Sequence, residues 1–520
     1  MSKIKTAAKD KVPLGQKLAF GSGHFVLNLL PGALGFFMFF LLTAFGMDPL
    51  YAGILGALPR LFDALSDPIM GFISDNTKSK WGRRRPYIMV GAVLSAIFFA
   101  LSWQMYPENS QMYNFWYFLT LSILFLAGNT MYATPLVGLG YEMTSDYNER
   151  TRLMAFSNTM GQIAWMIVPW FWVIIADPQV YETQDQGVRH LSMIVGGICV
   201  VLGILPAIFC HGIDSAHMEN RKEINFKSLA SNLKELWKGI VQVSKNKPFM
   251  KLCGATFLVF NGFQMVAAFS VYIIVFYMYN GSYENAGTWP AWFSTITAVA
   301  TAFLVIPIIS KMADAWGKRK AFIISTVISI IGYILKWWGF NNDLNQEFNQ
   351  TSLGQSLNQG MASIFEAMNP ALESIGMTWF SIDTSQGSPW LIFIPIPFMA
   401  FGLGGLFTLM MSMTADVCDL DELNNGMPRK EGTFGAIYWW MVKIGQSIAL
   451  FLGGLVLKMV GFISDAPTQT AETMHSLRIA DIIIPSATAA LAILIMWKYS
   501  LNETRAREIK AELVKRRGEL

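Results

Sequence analysis

The chain has 520 residues, of which 53% are hydrophobic and only 14% charged, against about 25% charged in soluble domains. A soluble core of this size cannot hide so much apolar surface, so a water-soluble globular protein is excluded. The formal net charge of +4 is accounted for by short basic segments between apolar runs and gives no support to nucleic-acid binding.

A basic amino-terminal tail with Lys3, Lys5, Lys9, Lys11 and Lys17 precedes the first apolar run. Runs long enough to cross about 30 Å of hydrocarbon are predicted at 18–46, 50–74, 87–105, 114–141, 153–176 and 191–213. A polar, Lys-rich linker over 214–247 follows, with an amphipathic helix around Leu229 to Val243. The second set of runs is at 248–279, 291–313, 321–340, 390–415, 432–461 and 479–500, which makes twelve. All are expected to be helices, because in lipid only intrasegment hydrogen bonds satisfy the backbone without closing a barrel. The first run is too long for a signal h-region and lacks a small-residue cleavage site, so it is expected to stay in the membrane. The insert over 341–389 contains no Lys or Arg, and its amphipathic stretch around Met361 to Met377 forms either a helix over the external mouth or a loop. A tail over 501–520 ends the chain.

Lys and Arg alternate with these runs. The tail and the even-numbered connections carry Lys78 to Arg85, Arg150 with Arg152, Arg221 to Lys251, Lys318 to Lys320, Arg429 with Lys430, and Arg505 to Arg517, whereas the odd ones hold almost none beyond Arg189. Such alternation places both termini in the cytoplasm. Cys199, Cys210, Cys253 and Cys418 lie in or at the end of spans without metal-type spacing and read as small buried hydrophobes.

A repeat divides the chain. Gly71 to Asp75 followed by Trp81-Gly82-Arg83-Arg84-Arg85 recurs as Ser310 to Asp314 followed by Trp316-Gly317-Lys318-Arg319-Lys320, each at the exit of the second span of a half. The fold class is therefore an all-α membrane protein of two six-helix halves, 1–213 and 248–500, joined by the linker. Two halves so joined, with a site near the midplane, permit alternating access.

The second span carries the strongest signal. Arg60, Asp63 and Asp67 share a helical face, with Ser66 beside them. Ionisable residues at bilayer depth are costly and mark ion or substrate pathways. Carboxylates on adjacent turns repel unless a cation or proton sits between them, and oxygen-only ligation suits Na+, Li+ or H3O+ rather than a transition metal. The alternative is a structural salt bridge in which Arg60 neutralises one Asp, leaving the other still to be paired. Aligned on Trp81 and Trp316, the repeat puts Ala298 and Ala302 opposite the two acids, so the acids belong to one half only.

Asp75 with Trp81 to Arg85 resembles the cytoplasmic signature of the major facilitator superfamily. More narrowly, Asp63-Ala64-Leu65-Ser66-Asp67-Pro68-Ile69-Met70-Gly71, the run from Tyr141 to Leu153, and Val442-Lys443-Ile444-Gly445 resemble the glycoside-pentoside-hexuronide:cation symporters, whose best-known members carry melibiose. The resemblance covers nearly the whole chain except the insert. It implies the major facilitator fold, symport of a sugar, glycoside or related polar or anionic solute with Na+, Li+ or H+, and a multi-pass place in the cell inner membrane. No cofactor beyond the coupling ion, no partner beyond solute and membrane lipid, and a monomer are expected. An uncoupled facilitator or a lipid-moving relative of the same fold is the alternative. An enzyme is not expected, since intramembrane proteases bring their two aspartates from different helices.

By resemblance the family ion site maps onto Asp63, Ser66, Asp67 and, in the fourth span, Thr130; Ser66 replaces an Asn of the melibiose carriers, which leaves the ion open. Asn28, Ala133, Val137 and Asn158 stand where those carriers place two sugar-binding Asp, a stacking Trp and a sugar-binding Arg, so galactoside specificity is not carried over. His24, Asn28, Asn158, Gln162, Asn261, Gln264, Trp439 and Lys443 remain candidate solute contacts. For Asn261, Gln264 and Gln162 the competing reading is interhelical hydrogen bonding, and for Trp165 and Trp439 it is packing or interface anchoring. Lys443, deep in its span, needs an anionic or strongly polar partner: Asp63, Asp67 or the solute. Asp75 with Arg83, Arg84 and Arg85, Asp314 with Lys318, Arg319 and Lys320, and Glu142, Asp146, Glu149, Arg150 and Arg152 are expected to form cytoplasmic ion-pair gates. Asp416 to Glu422 resemble a further gate.

Overall fold

The computed structural model describes residues 11–144, 147–178, 180–211, 224–374, 388–425, 431–464 and 466–517, and their secondary structure is helical throughout. The chain divides into two compact units, Met1–Glu235 and Leu236–Leu520.

The first unit holds α1 (Leu14–Thr43), α2 (Pro49–Asn76), α3 (Arg85–Ser102), α4 (Gln111–Glu142), α5 (Tyr147–Ile167, prolonged through Val168–Trp170 to Phe171–Ala176) and α6 (Gln184–Phe209). Local chemistry sets the starts. The Asp48 carboxylate accepts the Leu50 N–H ahead of Pro49, and the Ser110 hydroxyl accepts the Tyr113 N–H, so both helices are capped.

Helix α7 (Phe226–Ser244) is the amphipathic helix expected in the linker, and it straddles the unit boundary. The second unit continues with α8 (Lys247–Tyr272, widening into a π-helical turn at Ile273–Met278) and α9 (Trp289–Val299, running through Ala300–Val305 into Ile306–Trp316). Then come α10 (Lys318–Gly339), α11 (Asn342–Gln350), α12 (Ser352–Ser374) and α13 (Pro395–Gly405, running through Leu406–Met410 into Met411–Asn425). The last are α14 (Glu431–Met459), α15 (Ala471–Trp497) and α16 (Glu503–Arg517). The insert is thus helical over α11 and α12, and its residues 375–387 lie outside the described residues.

The packing repeats. In the first unit α1 packs on α5 and α6, α3 on α4 and α6, and α2 on α4; in the second, α8 packs on α14 and α15, α10 on α13 and α15, and α9 on α13. Small residues let α3 approach α4 closely in the first unit and α10 approach α13 in the second. A Cβ added at Gly91 would lie 2.5 Å from the Tyr132 backbone nitrogen, and one at Gly332 would lie 2.5 Å from that of Met399. An aromatic core fills the first unit, where Phe37 meets Trp103 at 5.3 Å and Trp103 meets Phe118 at 4.9 Å. In the second, Phe249 meets Phe434 at 4.9 Å. The outer faces stay apolar: α6 exposes Met193, Ile194, Ile198 and Val201, and α15 exposes Ile483, Leu491 and Leu494. Apolar faces of that extent suit lipid rather than water.

Eleven helices among the described residues are long and apolar enough to cross a membrane. Helix α2 is not one of them, because Arg60, Asp63, Asp67 and Asp75 make it the most polar of the long helices in its unit apart from the foot of α5.

Candidate functional site

In α2 the acids are framed by Pro59 and Pro68. Pro68 has no N–H to close on the Ala64 carbonyl, which adds a backbone oxygen beside the side chains. Asp63 is buried, and its Oδ1 accepts the Thr130 hydroxyl of α4 at 2.6 Å. Ser66 donates to the Asp63 carbonyl at 2.9 Å, and its Oγ lies 3.0 Å from Thr130 Oγ1. Three of the four expected cation ligands therefore form one oxygen cluster between α2 and α4. Asp67, half-buried, follows one turn after Asp63 on the same helix. Arg60, one turn before, lies within Coulombic reach of Asp63, and its Nη2 would be 3.4 Å from a Cβ at Gly35 of α1. Oxygen atoms of two carboxylates and two hydroxyls suit a hard monovalent cation or a proton.

A second polar group joins α1 to α5. Asn28 donates to the His24 carbonyl at 2.8 Å and accepts the Trp165 indole N–H at 3.0 Å. Gly161 makes room for it, since a Cβ there would sit 2.6 Å from Asn28 Nδ2. His24 Nε2 is buried with no hydrogen-bond partner among the described residues, its ring edge-on to Phe20 at 4.7 Å. Asn158 and Gln162 are exposed on the same face of α5 as Trp165. Of the expected solute contacts in the first unit, the structure brings His24 and Asn28 together, and the mediator of their link to α5 is Trp165.

In the second unit Asn261 is buried; its amide donates to the Phe257 carbonyl at 2.7 Å while Oδ1 has no partner among the described residues. It faces Gly445 of α14, where a Cβ would be 3.1 Å from Asn261 Nδ2. Gln264 and Lys443 are half-buried, and Trp439 is exposed, edge-on to Tyr438 at 5.8 Å.

The expected gates divide. Arg83 and Arg84 both donate to Glu142 at 2.7 Å, and Arg84 reaches Asp75 at 2.7 Å, whereas Arg85 donates instead to the Ala207 and Ile208 carbonyls. Buried Glu149 accepts Lys17 at 2.6 Å, Arg152 at 3.2 Å and the Val12 N–H at 3.2 Å. The Lys17 ammonium first of all, then the Val12 amide and Arg152, hold its carboxyl below the usual range against an opposing desolvation. Asp146 and the side chain of Arg150 lie outside the described residues. The C-terminal set is corrected. Asp314 is exposed and makes no ion pair among the described residues; Lys318 pairs with Asp416 at 2.7 Å, and Arg319 donates to the Trp497 carbonyl. The reason is position: Gly317, with φ of 81°, turns the chain between α9 and α10 and carries the basic residues towards α13 and α15.

The sequence reading missed one buried charge cluster. Lys336 in the last turn of α10 pairs with Asp481 of α15, both side chains almost fully buried, and donates to Ser270 of α8 at 3.0 Å. Arg478, one turn from Asp481, donates to the Trp337 carbonyl at 2.7 Å and lies over the Tyr277 and Trp337 rings at 4.2 and 4.4 Å. The signal that was available is the rarity of charge near the end of a span.

Residues 19–503 match the family model for MFS/sugar transport proteins. An uncharacterized symporter of Synechocystis sp. is 24% identical over 498 residues, covering 89% of each chain. The isoprimeverose transporter of Lactiplantibacillus pentosus is 21% identical over 506 residues, covering 95% of this chain and 90% of that one. A crystal structure of the nucleoside transporter NupG shares the fold, with a TM-score of 0.60 at 13% identity over 93% of this chain and 100% of that chain. The relatives are transporters rather than enzymes. With a family model spanning nearly its full length and apolar helices in both units, this multi-pass inner-membrane chain belongs to the MFS/sugar transport family, within the group of glycoside-pentoside-hexuronide:cation symporters.

Proposed function

We propose that the protein is a cation-coupled symporter that imports a sugar, glycoside or related polar solute by alternating access, with α2 as the twelfth span and both termini cytoplasmic. The observation that carries this reading is the oxygen cluster of Asp63, Ser66 and Thr130 between α2 and the apolar α4, with Asp67 one turn away. A buried carboxylate is tolerated when a hydroxyl and a visiting ion share its charge. Na+, Li+ and H+ all meet the ligand chemistry. The polar group of His24, Asn28 and Trp165, the face of Asn158 and Gln162, and Asn261, Gln264, Trp439 and Lys443 are proposed to contact solute. Arg83, Arg84, Asp75 and Glu142 are proposed to part and re-form during the cycle.

The coupling has usable size. One cation moving through about 100 mV gains about 2.3 kcal/mol, and a tenfold ion gradient adds about 1.4 kcal/mol. Together these sustain accumulation of roughly several hundredfold. Asp67→Asn removes one carboxylate without changing the side chain's shape. Ion-driven accumulation in proteoliposomes is expected to collapse, while exchange of preloaded solute persists. Accumulation that stays at the wild-type level in this variant refutes the assignment, and uptake indifferent to the ion gradient in the wild-type protein indicates a facilitator instead.

A further inference from the structure

The second unit contains a small crevice bounded by the end of the π-helical turn after α8, by α11 of the insert, and by residues 388–389 ahead of α13. Its volume is about 80 Å³, against about 30 Å³ for a water molecule in the liquid. Among the described residues no charged side chain lines it. Met278 and Pro389 give an apolar flank, and the remaining lining is amide and hydroxyl.

The walls are held by their own hydrogen bonds. Asn345 donates to the Gly339 carbonyl at 2.9 Å and accepts the Leu391 N–H at 3.0 Å; Asn349 donates to the Ser388 carbonyl at 3.0 Å. A further amide, Asn358 of α12, accepts the Trp390 indole N–H at 2.8 Å, so α11, α12 and the start of the 388–393 segment form one braced frame. Inside that frame four neutral groups are uncommitted. Among the described residues Tyr279, Asn342 and the exposed Gln346 make no side-chain hydrogen bond, and the Oγ of Ser388, only 1% exposed, has no partner. Leaving a buried hydroxyl unsatisfied costs about 1–3 kcal/mol, which a polar ligand at this spot would recover.

We infer that this crevice is a second saccharide site, separate from the polar groups between the long helices, taking one edge of a neutral polyhydroxylated ring. Amides and hydroxyls each both donate and accept, which matches the alternating demands of sugar hydroxyls. The apolar flank suits the C–H face of the ring, and the described lining offers an anionic sugar no basic counter-charge. On the topology proposed above the crevice lies on the external side, where it would hold solute before transport; that placement, and only that, rests on the proposed function.

The four native cysteines are all buried, so an introduced one can be read alone. In the purified full-length protein, Gln346→Cys and Asn342→Cys are labelled with a maleimide in the presence of xylose or isoprimeverose. Labelling is expected to slow as 1 + [L]/Kd, about threefold with sugar at twice its Kd, at both positions. It should be unaffected at Glu347→Cys, which does not line the crevice, and unchanged by an osmotically matched salt. Equal labelling with and without sugar at both lining positions overturns the inference and leaves a water-filled crevice. Repeating the measurement in the Asp67→Asn background separates the two readings: protection that survives while accumulation is lost belongs to the crevice alone.

Discussion

Asp63 and Glu149 are both buried carboxylates with different partners. Asp63 is met by the neutral hydroxyl of Thr130 across α2 and α4, with Arg60 one turn away within Coulombic reach. Glu149, ahead of the α5 span, is met by Lys17, Arg152 and the Val12 amide, so its charge is spent on tying the amino-terminal segment and α1 to α5. Because the folded pKa of Glu149 lies below its ordinary 4.5, the unfolded chain binds the proton more readily. The stabilisation is therefore fully present above that ordinary value and is lost as pH falls through the lowered folded value. Thermal unfolding of the wild-type protein followed between pH 7 and pH 3 should lose more stability at the acid end than Glu149→Gln, which lacks the group; parallel curves would remove this residue from the account.

Helix pairs carry the next level. Helices α3 and α6, and α10 and α15, are each clasped near one end by an arginine from the later helix: Arg189 donates to the Met105 carbonyl and lies over Tyr106, while Arg478 donates to the Trp337 carbonyl and lies over Trp337. Three residues on, the two clasps diverge. In the first unit Ser192 meets Gln104 at 3.3 Å, a neutral pair; in the second Asp481 meets Lys336, a buried ion pair. Removing one member of such a pair strands the other charge, at a cost of about 3–5 kcal/mol, whereas replacing both with apolar groups is often close to neutral. Lys336→Met alone is expected to lower the melting temperature of the detergent-purified protein markedly, and Lys336→Met with Asp481→Leu to recover most of the loss. If the double variant is no more stable than the single, the pair is not the element that holds α10 to α15.

At the scale of the molecule, charge outside the membrane decides orientation. A cytoplasmic reporter fused after Leu520 should be active and alkaline phosphatase inserted after Gln355 in α12 should be active on the opposite side, as the distribution of Lys and Arg requires; the reverse pattern would invert the proposed topology. Chain order, helix type and most spans were legible from sequence, because apolar length and the need to satisfy the backbone leave one answer in lipid. The α2 face was legible for the same reason: charge in an apolar helix has few explanations. The recurring set of helix pairings is written only weakly, in the Gly71–Asp75 and Ser310–Asp314 repeat, and needed coordinates to appear in full. So did the partners. That Thr130 meets Asp63, that Trp165 meets Asn28, that Lys318 takes Asp416 rather than Asp314, and that Lys336 finds Asp481 all follow from which helices pack. Sequence determined what each helix is and which residues are costly to bury, because those are properties of a segment in its solvent. Only tertiary structure decided who neutralises whom, because an ion pair across helices depends on distances that no single segment contains.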